Sequence, residues 1–319
     1  MIDKKQPDEA GRLRTRARNT RALTLTTFFM AWGEQMIRQT AEQMWLRAFG
    51  GDAAVYALVR GRLESATAAI SFFVTPLVAG LSDAVGRRAL MIVSTFTIFG
   101  ANTLPLFAPA HGTGRTTLLL LGARQMLYRI AIDLGQLVRQ SSLGDMFAGN
   151  NAALAEATAL DQALFPACKI LAPLIGGALL QRNARLPWYL SCSSMGLQVL
   201  VSFRIGETLP KDMRLPFRWT VNANPLSFLT LFRRGQTMSV LGAMTMLARV
   251  GETGGQPLPA EQICNIHKAN LLGWGVLERS RYESVNSVFR VAGLKLIAPA
   301  MRALNGSRGC MALTLTVYF

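Results

Sequence analysis

Three stretches of the chain, 65–82, 89–114 and 186–203, contain no Asp, Glu, Lys or Arg. Each reaches the ~18 residues that suggest a membrane-spanning helix. One such run is compatible with a buried core helix. Three in one chain predict a membrane protein. Two further apolar segments hold isolated charges: Arg124, Arg129 and Asp133 in 117–138, and Glu156, Asp161 and Lys169 in 154–180. A weaker segment, 22–45, holds Glu34, Arg38 and Glu42. The pattern therefore predicts six spans in a bundle over 22–206, preceded by a basic tail, 1–21. Beyond them, 207–235 is polar and Pro-bearing and reads as a connecting loop. The remainder, 236–319, holds a short apolar segment (236–250), an interrupted one (282–304) and a final run (311–319), about two spans and the start of a third.

Composition agrees. Half of the 319 residues are hydrophobic (50%) and only 16% are charged, against about 25% in ordinary soluble domains. Mean hydropathy is +0.27. Disorder is excluded by the hydrophobicity, and a disulfide framework by having only four cysteines. The net charge of +16 raises the possibility of a nucleic-acid binder. However, the basic residues lie between apolar blocks and are not interleaved with stacking aromatics. Their placement follows the positive-inside rule instead. The tail (Lys4 to Arg21), Arg87 and Arg88, Arg139, and the segment from Arg204 to Arg234 hold sixteen Lys and Arg; the alternate segments hold six. The expected N-terminus is cytoplasmic, and the expected partners are a lipid bilayer and a small solute, with no nucleic acid.

The turn between the second and third spans reads Gly80-Leu81-Ser82-Asp83-Ala84-Val85-Gly86-Arg87-Arg88. Its physics is legible directly. Gly80 allows close helix approach, and Gly86 allows a turn conformation closed to other residues. Asp83 can accept from backbone N–H groups or pair with Arg87 or a neighbouring helix. Arg87 and Arg88 anchor the loop on the cytoplasmic side. The loop resembles the signature of the major facilitator superfamily, G-x-L-[SA]-D-x-x-G-R-[RK]. The resemblance implies an all-α polytopic membrane protein, with a six-helix N-terminal bundle and a partial C-terminal one. It also implies a gating role for Gly80, Asp83, Gly86, Arg87 and Arg88.

Three further stretches resemble the same family. Ala172-Pro173-Leu174-Ile175-Gly176-Gly177 is similar to its G-P-x-x-G-G element, read either as helix packing by Pro173, Gly176 and Gly177 or as a proton-antiport feature. Arg124 resembles the arginine of an R-x-x-x-G pattern in the fourth span, with Tyr128 in place of its glycine. Gly206-Glu207-Thr208-Leu209-Pro210 resembles a sequence found after the sixth span and reads as a boundary. In the second half, Asn305-Gly306-Ser307-Arg308-Gly309 echoes the signature without its Asp. The family has twelve spans, so a chain of 319 residues is expected to be cut short in its second half.

A charged side chain at mid-membrane costs about 2.5–3.5 kcal/mol on insertion scales unless it finds a partner, so intramembrane charges are the functional candidates. Glu34 is the expected protonatable carboxylate, with Arg124 as its partner; Asp133 is expected to pair with Arg129 or Lys169. Structural neutralisation is the competing role for each. Arg60, Arg62, Glu64 and Asp161, near span ends, read as structural. No Walker A, G-x-S-x-G or paired zinc-ligand spacing occurs, so neither an enzyme nor a cofactor is expected. The expected function is proton-coupled secondary transport, of the drug or sugar type that the resemblance implies. The alternative is a non-transporting membrane paralogue acting as a binding or regulatory partner.

Overall fold

In a computed structural model, residues 9–108 and 114–217 are described, with isolated positions at 235, 239–240 and between 278 and 288. Among the described residues there are six long helices: α1 (Glu9–Ala48), α2 (Ala53–Val85), α3 (Arg87–Thr103), α4 (Arg115–Met146), α5 (Asn151–Arg182) and α6 (Leu186–Ser202). No strand occurs among the described residues. The expected spans between 236 and 319, and the Asn305–Gly309 stretch, lie outside the described residues apart from isolated helical positions between 278 and 288.

The helices pack as one bundle. α1 lies between α5 and α6, α3 packs on α4 and α6, and α2 leans on α4. Polarity is inverted relative to a soluble protein. Thr27, Asn102, Gln125 and Ser191 are almost wholly buried, while Phe73, Val93, Leu119 and Leu200 are each more than half exposed. Outside a membrane this arrangement would expose apolar surface to water at a cost of about 25 cal/mol per Å². In a bilayer the apolar exterior is solvated by lipid, and polar groups inside hold the helices together. Three helices, Ala53–Val85, Arg87–Phe107 and Ala153–Arg182, are long and apolar enough to cross a membrane.

Three apolar layers stack along the bundle. One, around Leu23, Met91 and Val138, lies beside the α2–α3 turn. A second, around Met30, Ile98, Tyr128 and Met195, lies in the middle. A third, around Trp45, Tyr56 and Leu121, closes the far end.

The tail and the fourth span differ from the sequence reading. α1 is 40 residues long, about 60 Å as helix and twice the ~30 Å hydrocarbon core. Residues 9–21, read as a tail, are thus helical and continuous with the first span. Arg139, read as a loop charge, lies inside α4 and is 5% exposed. Its Nε sits 3.1 Å from Asp161 Oδ2 on α5. Buried charge must be neutralised, and Asp161 does this. Thr27 of α1 completes the group, donating to Asp161 at 2.7 Å and accepting from Arg139 at 2.8 Å.

Candidate functional site

Glu34 and Arg124 meet at mid-depth. About 18 Å of helix separates Glu34 from the start of the apolar segment at residue 22, and about 16 Å from its end at 45. Arg124 Nη2 donates to Glu34 Oε2; the two side chains are 5% and 13% exposed. The same guanidinium donates to Asn102 Oδ1 of α3 from Nη2 (3.0 Å) and Nε (3.3 Å). Its carbon lies 4.3 Å from the Tyr128 ring centroid and 5.8 Å from that of Trp188. Ion pair, amide acceptor and aromatic faces together satisfy a planar cation that a low-dielectric interior would otherwise reject. Four helices contribute: α1, α3, α4 and α6.

The network continues toward α2. Arg124 Nη1 reaches Gln125 Oε1 at 3.4 Å, and Gln125 Nε2 donates to Glu64 Oε1 at 2.7 Å. Glu64 also pairs with Arg60 at 3.1 Å. A connected chain of polar groups thus runs from Glu34 to Arg60. The single amides Asn102 and Gln125 escaped sequence reading, because one uncharged polar residue in an apolar run carries no pattern. Their burial in a span is the only signal that could have singled them out.

The second charged group gathers at the α2–α3 turn. Gly86 is the only residue between the two helices, with φ +117°, and its N–H donates to Ser82 O at 3.1 Å. A Cβ at Gly86 would lie 2.3 Å from Glu207 Oε2. Arg87 Nη1 binds Asp83 (2.7 Å) and Ser82 Oγ (2.7 Å), and its Nε binds Asp145 of α4 (3.1 Å). Glu207 accepts from the Arg87 backbone N–H at 2.9 Å, at the positive end of α3. It also pairs with Arg214 at 3.3 Å. The Gly206–Pro210 stretch, read as a boundary, is therefore a structural partner of the turn. Asp145 and Glu207 were missed because each lies far from the turn in sequence. The Leu81-to-Arg88 stretch fits the signature, but the pattern's first glycine falls on Ala79; Gly80, one residue later, is buried in α2. Arg88 donates to Phe203 O at 3.1 Å.

The remaining predicted residues lie on α4 and α5. Asp133 sits 3.5 Å from Arg129 and accepts from Ser71 of α2 at 3.1 Å. Lys169 is half-buried on α5. Pro173, Gly176 and Gly177 are buried on the same helix. A Cβ at Gly176 would stand 2.1 Å from Met36 O, so α5 touches the α1 backbone there and only glycine fits.

No family model matches the chain, and no curated protein matches it in sequence. In three dimensions the chain is similar to the human organic anion transporter MFSD10 (TETRAN). The TM-score is 0.68 at 16% sequence identity, over 88% of this chain and 71% of that one. The fold is that of the major facilitator superfamily. Within this bundle the signature-like turn lies at one end, and the Glu34–Arg124 pair lies near its centre.

Proposed function

We propose that this chain is a secondary active transporter, moving a small solute by alternating access with proton coupling at Glu34. The observation that carries the reading is the buried Glu34–Arg124 pair at mid-depth in a major-facilitator-type bundle. A proton taken up by Glu34 cancels the counter-charge of Arg124. The guanidinium, still held by Asn102, Tyr128 and Trp188, then favours an anionic group from solution. Proton and anionic solute would in this way favour each other at one site. The organic anion transporter among the structural neighbours supports that substrate class.

The N-terminus lies in the cytoplasm in this reading, from the distribution of Lys and Arg. The Asp83–Arg87–Asp145 group and Glu207 act as a latch on that side, holding the α2–α3 turn against α4 and the segment after α6.

The test uses the full chain in proteoliposomes, with carboxyfluorescein as the anionic probe and an imposed pH gradient. The expected result is uptake that rises with the gradient and loses that dependence in Glu34→Gln. Uptake that keeps its gradient dependence in Glu34→Gln overturns the proton site. No uptake of any probe in a panel of anions and neutral sugars overturns the transport reading and favours a binding partner.

A further inference from the structure

A groove of about 830 Å³ opens beside the α2–α3 turn, between the first turns of α1 and the end of α6. Arg14, Arg18, Arg21, Arg88 and Arg204 line it, and among the described residues no carboxylate does. Arg14, Arg18 and Arg21 are spaced at i, i+4 and i+7, so they share one face of α1. Like charges at that spacing repel one another. Five arginines inside the bundle find carboxylates: Arg60, Arg87, Arg124, Arg129 and Arg139 each form an ion pair. Arg14, Arg18, Arg21 and Arg204 form none among the described residues.

The other wall is apolar. Ala22, Leu25, Val201 and Phe203 continue the groove toward the lipid-facing side, and Leu25 and Phe203 are 45% and 47% exposed. The wall is also held in place. Asn19, 2% exposed, accepts from the Gly206 N–H at 3.0 Å, and Arg88 is bonded to Phe203 O. A cationic rim beside an apolar slope matches an anionic head joined to a hydrocarbon tail.

We propose that this groove binds one anionic glycerophospholipid of the leaflet beside the α2–α3 turn. Its phosphate sits among Arg14, Arg18, Arg21 and Arg204, and an acyl chain runs over Leu25 and Phe203. The proposal rests on the membrane fold but not on transport, and its readout is lipid binding, so failure of one leaves the other standing.

The experiment measures thermal unfolding of the purified full chain in detergent, with added phosphatidylglycerol, phosphatidylcholine or inorganic phosphate. Phosphatidylglycerol alone should raise the unfolding temperature. The triple variant R14Q/R18Q/R21Q should lose that rise, with binding on the order of 100-fold weaker from about 1 kcal/mol per arginine. Its unfolding temperature in phosphatidylcholine should not fall below the parent value, since these side chains are exposed and their mutual repulsion is removed. Leu25→Asn should weaken the phosphatidylglycerol response as well. Equal shifts from both lipids, or a full response in the triple variant, overturn the proposal. A shift by inorganic phosphate as large as that by phosphatidylglycerol also overturns it, as this marks an anion site without a lipid tail.

Discussion

The two arginine-centred groups differ chiefly in what water can do for them. Arg124 is 5% exposed and its partner Glu34 13%. Arg87 is 11% exposed, but its partners Asp83 and Asp145 are 40% and 25% exposed. Water can replace a lost partner at the turn; it cannot do so at mid-bundle. Coulombic attraction is several-fold stronger where the surroundings are less polarisable, and so is the penalty for an unpaired charge. The central pair is therefore costly to break. The turn holds contacts that can open and re-form cheaply, as the proposed latch requires.

The most severe way to break this contrast is at the centre. Arg124→Met leaves Glu34 buried without a counter-charge and should cost about 3–5 kcal/mol, read as a fall in the unfolding midpoint in detergent. Adding Glu34→Gln to it should recover most of that stability and none of the uptake. If the single variant unfolds like the parent, the central group is not as dry as its burial indicates.

Backbone contact near the centre is the next test. Gly176→Ala places a Cβ 2.1 Å from Met36 O, two residues from Glu34. Overpacking of this kind should cost about 1–3 kcal/mol and shift α1 together with its carboxylate. Unfolding midpoint and gradient-driven uptake should fall together; uptake at the parent level would dissociate the packing from the site.

At the turn, Gly86→Ala demands a positive φ from an L side chain, at about 1–2 kcal/mol. Most of the protein should still fold, because the clashing Glu207 carboxylate can swing away. Cysteine-accessibility labelling at that end should rise more than stability falls. The smallest expected effect on stability is that of Asp145→Asn, below about 1 kcal/mol. Its labelling pattern should nonetheless change in the same direction as that of Gly86→Ala. A loss of stability as large as that of Arg124→Met would remove the distinction between the two groups.

Much of the bundle is readable in one dimension. The uncharged runs 65–82, 89–114 and 186–203 lie within or across α2, α3 and α6, since hydrocarbon solvation needs only length and apolarity. Gly86 was legible as a turn because a one-residue connection needs a backbone that glycine tolerates. Arg139 misled because it follows the apolar stretch of α4, and only its three-dimensional neighbour Asp161 explains why it is buried. The α1 extension through residues 9–21 has no apolar signal at all.

Sequence alone determined the inverted polarity, the number of long helices up to residue 206, and the kinds of charge available inside them. These follow from local properties: apolar length, isolated charge and a glycine turn. Tertiary structure alone decided which charges meet. Asn102, Gln125 and Glu64 join Glu34 and Arg124, and Asp145 and Glu207 join Arg87, only because helices distant in sequence pack side by side. A polar side chain carries its charge in the sequence, but its partner, its burial and hence its energetic weight belong to the packing.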